Sequence, residues 1–406
     1  SYLGAERYGL WLTVSSVIAM MSFADLGIGN GLLTEVSRAQ GEQDDERIRL
    51  LSSSAFFALI GIALVLGGVG AWLIPALDWA SLFGITSSLA RSEALPVVAT
   101  LTVLFILGIP ASVAEKIQIG TQVTYVATTW NAAGSLVSLL GLLVVTQLEL
   151  GLVALVVCLS GAPTFARVIN SLWFFWGPGK AYRPSLSSVS VPDAKRLVRM
   201  GTLFVVLQVS ASFAFLSDNL VLANSFGVAE VPELAIPTQI FGFLLLPVAM
   251  MATPMWPAYG EAAARGDMAW VRKTLRRAIR VTLLFTCGAA SLLVLAGNTL
   301  IGLWTRGQVD AGFDVLVPVA LSTVLIAWGT SVAAFLNGTG KLRAQALCAV
   351  AMAPIAFGLK WILAVRWGIA GIPWATVIAY FFLTVVPLSL VLRTPMTARP
   401  FGGTKN

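Results

Sequence analysis

The sequence predicts an all-α integral membrane protein, because it is strongly apolar, poor in charge and divided into long apolar runs. Of its 406 residues, 57% are hydrophobic and 11% are charged, whereas about a quarter of a soluble domain is charged. The mean hydropathy is +0.86. Backbone polar groups cannot stay unpaired in lipid, so apolar runs of this length are expected to be helices.

Eleven apolar runs reach the length of about 20 residues that a bilayer-crossing helix needs. They are 8–31, 53–77, 95–114, 124–146, 150–176, 203–224, 234–258, 279–304, 313–336, 345–365 and 369–392. One further helix before Ser1 would raise the number to twelve. We expect that this first helix belongs to the protein and is missing from the sequence.

Most of the 26 Lys and Arg residues fall in alternate loops and in the C-terminal tail. Loops rich in Lys and Arg stay in the cytoplasm, so the C-terminus is expected there. The net charge of +7 follows from this topology, and no nucleic-acid partner is expected.

The longest interval without an apolar run is 177–200, GPGKAYRPSLSSVSVPDAKRLVRM. It contains three prolines and five Lys or Arg, and we interpret it as a cytoplasmic hinge. It would join an N-terminal half-bundle, 1–176, to a C-terminal half-bundle, 201–392. Residues 393–406 would form a cytoplasmic tail.

An internal repeat supports two half-bundles. Residues 119–121 match 337–339 at an offset of 218, and 150–152 match 367–369 at an offset of 217. An even number of predicted helices separates the copies, so both halves have the same orientation. This is the parallel type of transporter repeat, and it predicts a central cleft between the halves.

Several short segments resemble polysaccharide flippases of the Wzx type, within the multidrug/oligosaccharidyl-lipid/polysaccharide exporter superfamily. The segments are LGAERYGLW at 3–11, DLGIG at 25–29, Phe226-Gly227 and Ala229-Glu230 after Asp218, NGTG at 337–340 and GIAG at 368–371.

The resemblance implies a twelve-helix transporter of the bacterial inner membrane. It would move a lipid-linked oligosaccharide, the precursor of a polysaccharide, outward by alternating access. The implied partners are an isoprenoid-linked oligosaccharide as substrate and the polysaccharide polymerase machinery.

Charged residues inside the predicted helices are the best candidates for a substrate site, since each costs about 2.5–3.5 kcal/mol at mid-bilayer. They are Asp25, Arg167, Asp218 and Lys360. None has a charged counterpart in the other half, so the repeated architecture does not explain them. Asp25 and Arg167 are expected at one level, while Asp218 and Lys360 lie toward the outer half.

Each candidate has a structural alternative. Arg167, with Asn170 three residues later, could bind a pyrophosphate or an acidic sugar, or could instead pair with Asp25 or reach the inner surface. Asp25 and Asp218 could carry a coupling proton, or could cap and pack helices. For Lys360, reaching the outer interface beside Arg366 is favoured over binding substrate.

Two charged groups are expected at the membrane surface. Glu115 and Lys116 are interpreted as an ordinary interfacial ion pair. A basic band on one helix, formed by Arg272, Lys273, Arg276, Arg277 and Arg280, predicts binding of anionic membrane lipids.

Two other classes of function remain to be weighed. A cation-coupled multidrug or small-solute antiporter of the same superfamily is the main alternative. A membrane-embedded enzyme is rejected, because the outer loops are short and the largest, 76–94, offers few catalytic groups. Histidine is absent and the three cysteines are far apart, so no metal, cofactor or catalytic residue is expected.

Overall fold

The computed structural model describes residues 25–82, 87–227, 231–305 and 312–393. All regular secondary structure in these ranges is helical. The chain divides into two compact units, Ser1–Thr202 and Leu203–Asn406. The predicted run 8–31, up to residue 24, and the predicted tail after Arg393 lie outside the described residues.

Five long helices belong to the first unit. They are α1 (Ile28–Gly41), α2 (Asp45–Ala76), α3 (Ser88–Gly120), α4 (Thr124–Gln147) and α5 (Leu152–Trp176). A π-helical turn, Val157–Gly161, interrupts α5. The core of this unit lies where α1, α2 and α3 meet, with side chains such as Leu32, Leu51 and Ile117 fully buried.

The predicted hinge is ordered and bound to the first unit. It begins with two 3-10 turns, Lys180–Tyr182 and Leu186–Ser188. Three consecutive buried serines of α2, at 52–54, bind it. The hydroxyl of Ser52 donates to the carbonyl of Tyr182 at 2.8 Å, and Ser53 and Ser54 accept from the backbone N–H groups of residues 185 and 190.

Tyr182 adds a side-chain contact to this attachment. Its hydroxyl donates to Asp45 Oδ1 at 2.8 Å. Burial, together with the bond to the Asp45 carboxylate and that charge, raises the pKa of Tyr182 to about 12. We name residues 177–190 the strap, since they run along the start of α2 and are bonded to it.

The remainder of the predicted hinge, 191–200, forms the first turns of helix α6 (Val191–Phe226). These turns contact the beginning of α1 backbone to backbone. A Cβ on Gly201 would lie 2.3 Å from the carbonyl oxygen of Leu26, and one on Gly27 would lie 2.3 Å from that of Gly201. Gly27 also has a φ of 68°, which favours glycine. The boundary between the units falls inside α6.

The second unit contains the rest of α6 and six further helical elements. They are α7 (Val231–Gly242), α8 (Leu245–Ala264), α9 (Met268–Thr305), α10 (Phe313–Gly338), α11 (Leu342–Trp367) and α12. The last, α12, comprises Gly371–Tyr380, a π-helical turn Phe381–Val385 and Val386–Arg393. Helix α10 is the most buried of these.

The fold class predicted from the sequence is confirmed. Eight described helices are long and apolar enough to cross a membrane, and there are nine if α7 and α8 form one span bent by 45°. The stretch 342–393 is one of these, and it is interrupted at Gly368, whose φ is 65°. The predicted runs from 53–77 onward coincide with described helices to within two residues, although 234–258 is divided between α7 and α8. The protein is therefore a multi-pass membrane protein.

The close backbone contact at Gly201 generates a prediction. Gly201→Ala should lower the free energy of unfolding by about 1–3 kcal/mol, because the added methyl overpacks the contact with α1. Gly358→Ala on α11 is the matched control, since a Cβ there meets nothing within 4 Å. It should be neutral or stabilising by up to about 1 kcal/mol. Thermal unfolding of the purified protein in detergent measures both, and equal stability of the two variants would contradict the contact.

Candidate functional site

The first unit contains an ion pair between Glu115 on α3 and Arg167 on α5. Arg167 Nε lies 3.2 Å from Glu115 Oε2, and the two side chains are 35% and 19% exposed. The guanidinium lies beside Gly108 of α3, where a Cβ would be in ordinary van der Waals contact with Nη1 at 3.7 Å. The pair is thus held between two packed helices but remains partly open to its surroundings.

Amide side chains surround this ion pair. Asn131 on α4 donates from Nδ2 to Glu115 Oε1 at 3.3 Å. One turn along α3 and α5, Gln118 and Asn170 exchange two hydrogen bonds of 2.8 and 3.0 Å. We call Glu115, Gln118, Asn131, Arg167 and Asn170 together the N-unit polar cluster.

Asn170 differs from Arg167 in accessibility. It is 2% exposed, and Gln118 is fully buried. Each amide satisfies the other, so the Asn170 side chain bonds to α3 and faces the interior of the unit. Of the two residues that the sequence placed together, Arg167 is the more exposed.

Asp25 does not pair with Arg167, so that alternative is wrong. Its carboxylate caps the start of α1, accepting from the backbone N–H groups of Gly27 at 2.8 Å and Gly29 at 3.3 Å. Helix N-termini leave such N–H groups without a partner in the helix, and a carboxylate satisfies them well. The structure therefore gives Asp25 the capping role that the sequence left as its alternative.

The predicted interfacial pair of Glu115 with Lys116 is also wrong. Lys116 Nζ donates instead to Asn30 Oδ1 of α1 at 3.1 Å, while Glu115 binds Arg167. Successive side chains of an α-helix point about 100° apart, so the two neighbours face different helices. Sequence adjacency suggested a pair that helix geometry does not favour.

The second unit contains an ion pair between Lys360 on α11 and Asp218 on α6. The Lys360 ammonium also donates to the carbonyl oxygen of Ala214 and to Ser217 Oγ at 3.1 Å. An ammonium has three N–H donors; two of them form these hydrogen bonds, and the Asp218 carboxylate lies against the ammonium as its ion-pair partner. All three oxygens come from one turn of α6.

Lys360 does not reach the membrane surface, so the favoured sequence interpretation is wrong. The side chain is fully buried, although Asp218 remains 20% exposed. A lysine extends toward the interface when no acceptor lies nearer, and α6 supplies three acceptors. Asp218 and Lys360, which the sequence placed in the same half of the membrane, are in direct contact.

Small side chains bring α6 and α11 together at this point. Ala214, Ala353 and Ala356 are buried in one cluster, so the helices approach closely enough for Lys360 to reach the α6 backbone. Two aromatic pairs flank the contact: the rings of Phe213 and Phe357 lie 5.2 Å apart, and those of Phe215 and Tyr380 lie 6.4 Å apart.

A buried carboxylate near the strap was not found from the sequence. Glu35 on α1 is 3% exposed and lies 3.4 Å from Arg47 and 3.0 Å from Arg196. It joins the starts of α2 and α6 to the end of α1. The sequence carried little signal for it, because Glu35 follows an apolar run and looks like an ordinary helix-end charge.

The basic band on α9 is exposed. Arg272, Lys273, Arg276, Arg277 and Arg280 are all solvent- or lipid-accessible. Beside it, Lys341 precedes α11, and burial together with the positive charge of Arg272 lowers the pKa of Lys341. These cations repel one another, so the band is suited to an anionic surface or ligand.

No metal centre is formed by the described residues, since no group of three His, Cys, Asp or Glu comes together there. The cysteines at 158, 287 and 348 are free thiols.

The fold is that of transporters in the MATE family. A MATE transporter of Vibrio cholerae is 15% identical, with a TM-score of 0.81 over 97% of this chain and 90% of that one. A multidrug-resistance MATE transporter of the MOP superfamily, solved facing outward, is 18% identical, with a TM-score of 0.79 over 96% and 88%. No protein-family profile matches the chain.

Two relatives of known name are similar to this chain in sequence. A protein of Yersinia pseudotuberculosis named for O-antigen export is 21% identical over 389 residues, 94% of this chain and 87% of the relative. A protein of Salmonella typhi named as an O-antigen transporter is 21% identical over 395 residues, with the same coverage. The predicted resemblance to polysaccharide flippases is confirmed, and these relatives are transporters, not enzymes.

The reciprocal bonds of Gln118 and Asn170 predict a non-additive pair of variants. Asn170→Ala should destabilise the protein by about 1–3 kcal/mol, because it leaves the buried Gln118 amide without a partner. Gln118→Leu combined with Asn170→Leu should recover most of this loss, since both polar groups are removed together. Asn224→Ala is the control, because Asn224 is exposed and donates to Leu220 of its own helix. Additive losses in thermal unfolding would contradict the pairing.

Proposed function

We propose that this protein moves a lipid-linked oligosaccharide, the precursor of a polysaccharide, across the bacterial inner membrane. The observation that carries the proposal is the similarity to two O-antigen transporters over 94% of the chain. The motifs at 25–29, 337–340 and 368–371 support it as well. The two half-bundles would expose the substrate alternately to the two sides of the membrane.

The substrate class has a demanding headgroup. A pyrophosphate and several sugars are too polar for the bilayer interior, whereas an isoprenoid chain is apolar and dissolves in it. A transporter therefore needs a polar route for the headgroup and can leave the tail in lipid. Arg167 is the accessible cation of the N-unit polar cluster, and its planar guanidinium fits phosphate oxygens in a bidentate manner.

Glu115 allows the substrate phosphate to be released from Arg167. Its carboxylate binds Arg167 through Nε, and a phosphate arriving at the guanidinium competes with it. Asn131 holds the carboxylate from α4, so Glu115 stays in place while the substrate is bound. In this scheme the ion pair re-forms when the substrate leaves, which keeps affinity moderate and allows turnover.

The surroundings of the site follow from the same proposal. The strap, the basic band on α9 and the C-terminus would lie in the cytoplasm, where anionic lipids bind the band. The isoprenoid-linked oligosaccharide would arrive from that side. The polysaccharide polymerase machinery would receive it at the outer face.

The alternative is a cation-coupled multidrug antiporter of the same superfamily. The MATE fold favours it, but the solved MATE structures are only 15–20% identical to this chain. Such an antiporter would export organic cations in exchange for sodium ions or protons, and it would have no need for a cationic substrate contact. Arg167 thus favours the anionic oligosaccharide.

Transport in proteoliposomes tests the proposal. Wild-type protein should translocate a fluorescent lipid-linked oligosaccharide, and Arg167→Ala should reduce the initial rate about tenfold or more, because a charge-assisted contact is lost. Arg167→Lys should retain part of the rate, since it keeps the charge but not the fork. Arg366→Ala is the control, because Arg366 is an exposed cation of α11.

Two results would contradict the proposal in different ways. An unchanged rate for folded Arg167→Ala would remove Arg167 from the substrate route. Gradient-driven drug export by the same vesicles, without movement of the oligosaccharide, would establish the antiporter instead.

A further inference from the structure

The Lys360–Asp218 pair has no role in the substrate route proposed above. The ammonium is fully buried, donates two hydrogen bonds to α6 and is paired with the Asp218 carboxylate, so it does not meet a phosphate from outside. Buried alanines of α6 and α11 pack beside it. The ammonium interacts instead with oxygens of α6.

The three oxygens around the ammonium are of the kinds that bind hard cations. One belongs to a carboxylate, one to a backbone carbonyl and one to a hydroxyl, and all three lie on one turn of α6 at 214, 217 and 218. Oxygen sets of this composition bind metal ions in proteins, and backbone carbonyls of transporter helices coordinate sodium. Only one formal negative charge is present, which suits a monovalent ion.

The bundle fold does not require this pair. At the repeat offset of 217–218, Lys360 corresponds to Leu142 or Leu143 in the first unit, and Leu143 is 53% exposed. A half-bundle of the same design therefore forms with an apolar side chain at this place. The repeated architecture therefore does not account for the lysine of the second unit.

We propose that the turn of α6 at Ala214–Asp218 is a monovalent-cation site that the protein fills with its own lysine. The Lys360 ammonium is a tethered cation, carried on α11 and bound by α6. Because it cannot dissociate from the chain, the second unit keeps its cation without sodium or potassium. The site becomes available to a free ion only when the lysine is replaced.

Replacement of the lysine tests this directly and requires no substrate. Purified Lys360→Met should melt several degrees higher in sodium chloride than in choline chloride of equal ionic strength, and it should bind one radioactive sodium ion per chain. Wild-type protein should show neither effect, since its site is filled. Adding Asp218→Asn to Lys360→Met should abolish both, because the only carboxylate of the site is lost.

Arg366→Met is the matched control, because it removes an exposed cation from the same helix. It should gain no dependence on sodium. Lys360→Gln provides a second variant, since its neutral amide is polar and better tolerated than methionine if the latter does not fold. It should gain the same sodium dependence.

Two outcomes would overturn the proposal. The first is a folded Lys360→Met or Lys360→Gln protein that melts equally in sodium, potassium, lithium and choline salts. The second needs no change at Lys360: wild-type protein that is stabilised by sodium, with loss of that effect in Asp218→Asn, would show that the lysine does not fill the site. Neither outcome depends on whether the protein moves oligosaccharide, so the two proposals fail separately.

Discussion

A charge inside a bilayer has to be paired, and this constraint organises the described helices. Burying an ionised group without a partner costs several kcal/mol, so each intramembrane charge must find an opposite charge or hydrogen-bonding groups on a neighbouring helix. Arg167 forms an ion pair with Glu115, and Lys360 forms one with Asp218. The Asp25 carboxylate accepts hydrogen bonds from N–H groups at the start of α1. The helices that supply these partners are therefore held next to one another.

The two ion pairs satisfy the same constraint in different ways. In the first unit, both members stay partly exposed and amide side chains support them. In the second unit, the cation is sealed and only the carboxylate is partly exposed. At the repeat offset, Glu115 and Arg167 correspond to Ala333 and Thr384, so neither pair is copied in the other unit. The two units share a repeated fold, but their ion pairs differ in position and in exposure.

Features that depend on neighbouring residues could be predicted from the sequence, whereas contacts between residues distant in the chain could not. Helix positions depend on runs of neighbouring residues, so length and hydropathy located them, and the cost of buried charge singled out Arg167, Asp218 and Lys360. Their partners depend on packing between helices distant in the chain: Lys360 and Ser217 are separated by 143 positions. No local pattern encodes such a contact, which is why Lys360 was expected at the membrane surface.

The contacts of the strap could not be predicted from the sequence either. Its prolines and charges predict a polar linker. The three serines that bind it lie at the start of an apolar run in α2, where they look like ordinary small residues of a membrane helix. The strap is therefore bonded to the first unit, and the rest of the predicted hinge is helical.

The central claim is that the Arg167 guanidinium of the first unit can be reached from water, whereas the Lys360 ammonium of the second unit cannot. Thiol accessibility measures this most directly, in a protein whose native cysteines have been replaced by alanine. Asn131→Cys should react quickly with a charged, water-soluble thiol reagent and slow when lipid-linked oligosaccharide is present, while Ser217→Cys should stay unreactive. Equal reactivity at both positions, or no reaction at Asn131→Cys, would contradict the account.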